Sequence, residues 1–190
     1  MHTGEESAIL ASESDVLDPR KLLTHTGLGP GMTCADFGVG REGSFILTAA
    51  DMVTATGRVY ALDVVKEILE VINGLAQDAG HENVLTIWTD LELYGAAKDI
   101  ADGFIDVGLL VNTLFQSEQK EDMFRECIRM MRPGGKLLVV DWKPVNTAFG
   151  PPKDKRVDPQ EIKTLATGLG LQLIEEFEAG EYHWGQLYQR

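Results

Sequence analysis

The segment Ala35-Asp36-Phe37-Gly38-Val39-Gly40-Arg41-Glu42-Gly43 constrains this chain more than any other. An apolar run leads into a glycine turn, and Phe45-Ile46-Leu47 with Ala49, Ala50 and Val53 follows. The pattern reads as strand, tight turn and helix. Glycine accepts φ > 0 and lets a backbone approach a ligand closely. The first N–H groups of the helix favour a carboxylate or phosphate. About twenty residues later a second apolar run, Tyr60-Ala61-Leu62, ends on Asp63, where an acid can accept hydrogen bonds from ribose hydroxyls. In this order the elements predict an adenosine-containing ligand over the ends of two adjacent parallel strands.

The rest of the chain repeats the alternation. Asp18-Pro19 opens a short helix, with Asp as N-cap and Pro at the first position, that ends near Gly27. Further strands are expected over 32–37, 58–63, 83–89, 104–111 and 136–142. Helices are expected over 64–79 and 117–131, the second stopped by Pro133-Gly134-Gly135. Asp158-Pro159-Gln160-Glu161 reads as a capping box opening a last helix. The runs 171–178 and 182–189 flank Ala179-Gly180-Glu181 as a hairpin, which turns the last strand antiparallel to the others. This predicts an α/β fold: a doubly wound, mostly parallel sheet with helices on both faces. Ligands of such sheets lie outside the carboxyl ends of the strands. Asp36, Asp63, Asp90 and Asn112 all fall at such ends.

The length of 190 residues suits one domain over 15–190, preceded by a polar, acidic leader over 1–14 without the apolar stretch of a signal peptide. No apolar run reaches the roughly 18 residues of a membrane span. The net charge of −13 argues against a nucleic-acid partner, because phosphate recognition needs an excess of Lys and Arg. Cys34 and Cys127 stand in apolar contexts, outside any Cys-x-x-Cys or Cys/His cluster. Neither a metal nor a disulfide is expected, and a reducing, cytoplasmic location follows.

Taken in order, Asp36-Phe37-Gly38-Val39-Gly40, Val59-Tyr60-Ala61-Leu62-Asp63, Asp90-Leu91, Asn112 and Arg132-Pro133-Gly134-Gly135-Lys136 resemble the successive motifs of class I S-adenosylmethionine-dependent methyltransferases. The resemblance runs from residue 18 to 190. Val139-Val140-Asp141-Trp142-Lys143 with Gly150-Pro151-Pro152 is similar to small methyltransferases of the ubiquinone/menaquinone-biosynthesis type. The resemblance implies a Rossmann-like seven-stranded sheet, with the antiparallel last strand inserted between the fifth and sixth. It also implies S-adenosylmethionine as cofactor and S-adenosylhomocysteine as product. Gly38 and Gly40 would lie under the methionine part, with Asp36 at its amino end. Asp63 would hold the ribose, Val64 would pack on adenine, and Asp90 and the Leu91 N–H would meet the adenine edge. Asn112 would close the floor beneath the sulfonium. The family's Gly-x-Gly-x-Gly is altered, since Glu42 stands at the third position and Gly43 one place later. Arg41 could then take the cofactor carboxylate as a charge-assisted partner.

Two other readings stay open. Gly38-Val39-Gly40-Arg41-Glu42-Gly43 also fits the dinucleotide fingerprint of an NAD(P)-binding oxidoreductase. Tyr94-Gly95-Ala96-Ala97-Lys98 resembles the Tyr-x-x-x-Lys pair of short-chain dehydrogenases, but it precedes the fourth strand rather than following the fifth. A non-catalytic domain binding S-adenosylmethionine or a partner is the third. Under the methyltransferase reading the transfer is an in-line displacement, and the protein's task is alignment. A small-molecule acceptor would meet Phe115, Gln116, Trp142 and Lys143 over the ends of strands four and five. His183 is the candidate general base, because an unperturbed imidazole titrates near neutrality. Tyr182 and Trp184 alternate with it and point to the other face.

Overall fold

The computed structural model describes residues 17–190, so the expected leader over 1–14 lies outside the described residues. Helix α1 (Pro19–Thr26) starts as its sequence dictates: the Asp18 carboxylate accepts from Lys21 N at 3.0 Å, and Gly27 at φ 71° ends it. There follow β1 (Thr33–Phe37), α2 (Ser44–Val53), β2 (Arg58–Asp63), α3 (Lys66–Asp78) and β3 (Val84–Trp88). The second half holds β4 (Ile105–Val111), α4 (Lys120–Met130), β5 (Met131–Trp142), α5 (Pro159–Gly168), β6 (Gln172–Gly180) and β7 (His183–Gln189).

The strands form one sheet in the order β3-β2-β1-β4-β5-β7-β6. β1, β2, β3, β4 and β5 pair in parallel, and β7 runs antiparallel to both β5 and β6. The central strands are buried on both sides, which is why they read as continuous apolar runs rather than alternating ones. Along β2, Val59 and Ala61 enter the core beneath α1, α2 and α3, while Tyr60 and Leu62 enter the core beneath α4 and α5. Phe45, Ile46, Ala49, Ala50 and Val53 make the inner stripe of α2, a spacing that matches the helical period. Ten residues with no side-chain cap are too few to hold a helix alone in water, so this packing is what stabilises α2.

After β3 the chain crosses to the other side of β1, so the winding reverses between β1 and β4. That reversal opens a crevice above their carboxyl ends.

Two elements depart from the sequence expectation. β5 begins at Met131, not Lys136: Met131 pairs with Ile105, and pairing resumes at Val107–Lys136. Arg132-Pro133-Gly134-Gly135 is therefore a bulge within one strand. The last residue completes it, since Gly134 N donates to Arg190 O at 2.8 Å and Arg190 N to Gly135 O at 2.9 Å. Helix α4 starts three residues later than expected, at Lys120, for a reason that belongs to the site.

Candidate functional site

A cavity of about 410 Å³ occupies the crevice. Its wall is drawn from the turn after β1 (Gly38, Gly40), the end of β2 (Asp63, Val64), the chain after β3 (Thr89 to Glu92) and the end of β4 (Asn112, Thr113, Gln116, Ser117). Among the expected cofactor residues, Gly38, Gly40, Asp63, Val64, Asp90, Leu91 and Asn112 line it, as does Gln116 from the expected acceptor set.

Each is held by its neighbours. Gly38 N and Val39 N both donate to Leu62 O, at 2.9 and 3.0 Å, which fastens the turn to β2. Gly38 has φ +90°, and a Cβ there would stand 2.6 Å from the Thr113 methyl. This close approach of the β1 turn to the β4 loop is open only to glycine. Gly43 takes the third glycine's part: at φ +66°, a Cβ on it would meet Ile72 of α3 at 2.8 Å. Shifting the glycine by one place thus preserves helix packing and leaves Arg41 and Glu42 exposed.

Asp63 Oδ1 accepts from Val65 N at 2.9 Å, and Oδ2 lies 3.4 Å from Gly40 N. Two backbone donors fix the carboxylate, and its remaining lone pairs can serve a ligand. Asp90 Oδ1 accepts from Glu92 N at 2.9 Å in an Asx turn. Asn112 has φ 52°, a left-handed conformation that Asn tolerates better than most residues. The Thr89 hydroxyl is buried in the wall with no hydrogen-bond partner among the described residues. Such an atom is a ready partner for a polar ligand group.

Two carboxylates that sequence reasoning missed set the segment after β4. Glu92 Oε1 accepts from Ser117 Oγ at 2.6 Å, Glu118 N at 2.9 Å and Gln119 N at 3.3 Å. The Ser117 hydroxyl, ahead of the backbone donors and Lys120, holds Glu92 below the usual carboxylate range. This distant acid fastens the residues that lead into α4, whose N-cap Gln119 makes no side-chain cap. Asp141, fully buried in β5, accepts from Leu114 N at 3.0 Å and Trp142 N at 2.7 Å.

A third carboxylate holds the chain after β3. Glu126 of α4 is fully buried and accepts from Gly95 N at 2.7 Å and Ala97 N at 3.0 Å. Arg129 grips it through Nε at 2.9 Å and Nη2 at 2.8 Å. Burial pushes the Glu126 carboxyl up, but the Arg129 bonds and the two backbone donors outweigh it and the net shift is downward.

The remaining expected residues stand outside the cavity wall. Asp36 is buried within β1, opposite Ala61 and Leu109. Phe115 is half-buried on the loop beside Gln116. Trp142, Lys143 and His183 belong to a separate cluster where β5 meets β7. His183 is 1% exposed, with the Trp142 ring 4.1 Å away and no hydrogen-bond partner for either ring nitrogen among the described residues. Burial, followed by the charges of Arg156 and Lys143, pushes its pKa down to about 4. It is therefore neutral at pH 7 and weakly basic. Over this cluster the connection 143–157 folds around the Arg156 guanidinium, which donates to Pro151 O at 2.9 Å, Val145 O at 2.7 Å and Phe149 O at 3.0 Å. Lys143 Nζ donates to Glu181 O at 3.0 Å and pairs with Glu178.

Comparison with known proteins agrees with this geometry. Residues 35–139 match the methyltransferase domain family. The ubiquinone/menaquinone biosynthesis C-methyltransferase UbiE of Ectopseudomonas mendocina is 31% identical over 123 residues, covering 64% of this chain and 46% of that protein. The chain spans about half the length of the curated relatives it matches, 46% and 43% for two of them. A SAM-dependent methyltransferase from Aquifex aeolicus superposes with a TM-score of 0.84 at 25% identity, covering 92% of this chain and 90% of its own. The [4+2]-cyclase SpnF shares the fold at a TM-score of 0.71 and 16% identity, over 85% of this chain and 58% of its own. By family match, strand order and the placement of its motifs, the chain belongs to the class I S-adenosylmethionine-dependent methyltransferases.

Proposed function

We propose that the cavity binds S-adenosylmethionine and that the chain transfers its methyl group to a small organic acceptor, releasing S-adenosylhomocysteine. The observation that carries this reading is the convergence of Gly38, Gly40, Asp63, Asp90 and Asn112, from four separate elements, on one cavity at the switch point of the sheet. The chemistry of the wall fits the cofactor. Asp63 offers acceptors for the ribose hydroxyls, and Val64, 58% exposed beside it, offers an apolar surface for adenine. Asp90 and Leu91 N–H would read the adenine edge. The glycine turn would take the methionine part, with Asp36 and Arg41 completing the set from either side of it. Asn112 would floor the sulfonium end, and the Thr89 hydroxyl supplies one more polar contact.

The bound cofactor supplies an electrophilic methyl carbon on a positive sulfur. The protein's part is to orient it and exclude water. The E. mendocina relative is named for carbon methylation in quinone biosynthesis, so a quinol-like ring is the first acceptor to test. Phe115 and Gln116 would receive it, and Trp142 and Lys143 would join them only in a state in which the 143–157 connection no longer covers them. A proton-accepting role for His183 belongs to a state in which the 143–157 connection has moved off it, and turnover by His183→Ala tests that role.

The deciding experiment is calorimetric titration with S-adenosylmethionine, S-adenosylhomocysteine, NAD and NADP. Micromolar binding of the first two and no heat from the nucleotides is expected. Binding of NAD alone would reverse the assignment. Asp63→Ala is expected to weaken S-adenosylmethionine binding about ten- to hundredfold, the range for losing hydrogen bonds to a charged group. Unchanged affinity would remove Asp63 from the ribose site.

A further inference from the structure

We propose that Asp141 is a positioning residue of the binding site: its ionised carboxylate holds the segment 112–117 in the shape that walls the cavity, so ligand affinity follows its charge. The inference rests on the reading of the cavity as the S-adenosylmethionine site.

Asp141 touches nothing in the cavity. It lies in β5, separated from β1 by β4, with no exposed surface. Its two oxygens divide their work. Oδ1 accepts from Trp142 N at 2.7 Å, within its own strand, and Oδ2 accepts from Leu114 N at 3.0 Å, in the loop after β4. The Phe115 N–H is also near enough for its dipole to favour the charged carboxylate. Leu114 and Phe115 sit between Thr113 and Gln116, both of which line the cavity. The loop therefore hangs from Asp141 at its middle, from Val140 O through Asn112 N (2.9 Å) at its start, and from Glu92 through Ser117 at its end.

The middle support is the one open to adjustment. An ionised carboxylate accepts at both oxygens, whereas a protonated one turns one oxygen into a donor. The groups facing Asp141 from the loop and from β5 are backbone donors, which cannot take up that proton. Lys120, at the start of α4, is the charged side chain whose field reaches it. On β7 its register partner is Trp184, and the adjacent His183 is uncharged at neutral pH. Burial pushes the Asp141 pKa up to about 7 against the pull of those donors and of Lys120. Glu92, by contrast, is held low by Ser117, so the end of the loop stays fixed across the same range.

The test is calorimetric titration of the full chain with S-adenosylhomocysteine between about pH 5.5 and pH 8.5, for the natural chain, Asp141→Asn and Glu92→Gln. If binding needs the ionised form, affinity at pH 6 should be about tenfold below that at pH 8. Asp141→Asn should bind more weakly at pH 8 and lose that dependence. Glu92→Gln should weaken binding and keep it. An Asp141→Asn variant as tight as the natural chain at pH 8, or with the same pH profile, overturns the proposal. The pH shift of the Leu114 and Phe115 amide resonances in the unaltered protein is a second test that needs no variant. One inflection near neutrality is expected, and its absence overturns the proposal. Failure of the unaltered chain to bind at any pH would instead count against the site assignment, and the amide titration would still decide the Asp141 support.

Discussion

Arg129→Met should destabilise the protein by about 3–5 kcal/mol, because it strands a buried charge. Glu126 has no exposed surface, and the Arg129 side chain is only 10% exposed. The arginine gives Glu126 two hydrogen bonds, at 2.9 and 2.8 Å. It also donates to Ile100 O at 3.2 Å and Ala97 O at 3.1 Å and pairs with Asp102. Methionine fills most of the volume and keeps none of these contacts. Glu126 is left with Gly95 N and Ala97 N, too little to solvate an ion in that interior. For a chain of this size each kcal/mol moves Tm by about 2–4 °C, so the expected drop is roughly 6–20 °C. Urea unfolding at two pH values separates charge from packing. In the natural chain the depressed Glu126 pKa contributes stability that is present above the unfolded value of 4.5 and lost as pH falls through the folded value. In the variant the arginine's share is gone and burial is opposed only by the Gly95 and Ala97 N–H groups, so the Glu126 pKa should rise. The deficit should therefore be largest near pH 7.5 and shrink toward about pH 5, as Glu126 takes up a proton. Adding Glu126→Gln to Arg129→Met should restore part of the loss. A deficit under about 1 kcal/mol, or one that does not change with pH, would refute the reasoning.

Gly38→Ala should cost about 2–5 kcal/mol, from the left-handed backbone and the overlap with Thr113, and should abolish ligand binding. Thr113→Ser in the same chain should recover part of the stability, and denaturant titration of both variants checks it. Asp141 should make stability fall as pH rises from about 4 to about 7, because the folded state keeps a proton that the unfolded chain releases near 3.8. Across that window the effect is at most about 4 kcal/mol, and Asp141→Asn should remove it; parallel profiles for the two proteins would refute this. Cys34 and Cys127, buried and with thiol pKa values pushed up by that burial, should resist a thiol reagent until urea unfolds the chain. Rapid labelling in the native state would contradict their placement.

The parts of the site that the sequence exposes are those whose chemistry is local. A strand that must be apolar on both faces, a turn that needs φ > 0 and an acid at a strand end each leave their mark within a few residues. Gly38, Gly40, Asp63, Asp90 and Asn112 were legible for that reason, and so was the antiparallel β7, through its short turn. The β5 bulge was not. Pro133-Gly134-Gly135 looks like a stop, and only the pairing of Met131 with Ile105 and of Gly134 with Arg190 keeps it in the strand. The Trp142–His183 cluster shows the same limit. A strand-end position suggested access to substrate, and the Arg156-centred fold of 143–157 closes it over.

The supporting carboxylates were invisible for a deeper reason. Glu92 lies 25 residues from the Ser117 hydroxyl it receives, and Glu126 lies 31 from Gly95. No periodicity links such pairs. Glu92 would have been sought only once the start of α4 was known to fall at Lys120, behind an N-cap Gln119 that makes no side-chain cap. Asp141 left no trace, since an acid inside Leu137-Leu138-Val139-Val140-Asp141-Trp142 reads only as a strand end. Its burial opposes its charge, so the form that best supports the loop is the form that least stabilises the fold. A neutral residue there would avoid that cost but would offer the loop fewer acceptors. Because Asp141 Oδ2 accepts from Leu114 N between two residues of the cavity wall, its ionisation ties the shape of the loop to pH, and the titration of binding reads that tie directly.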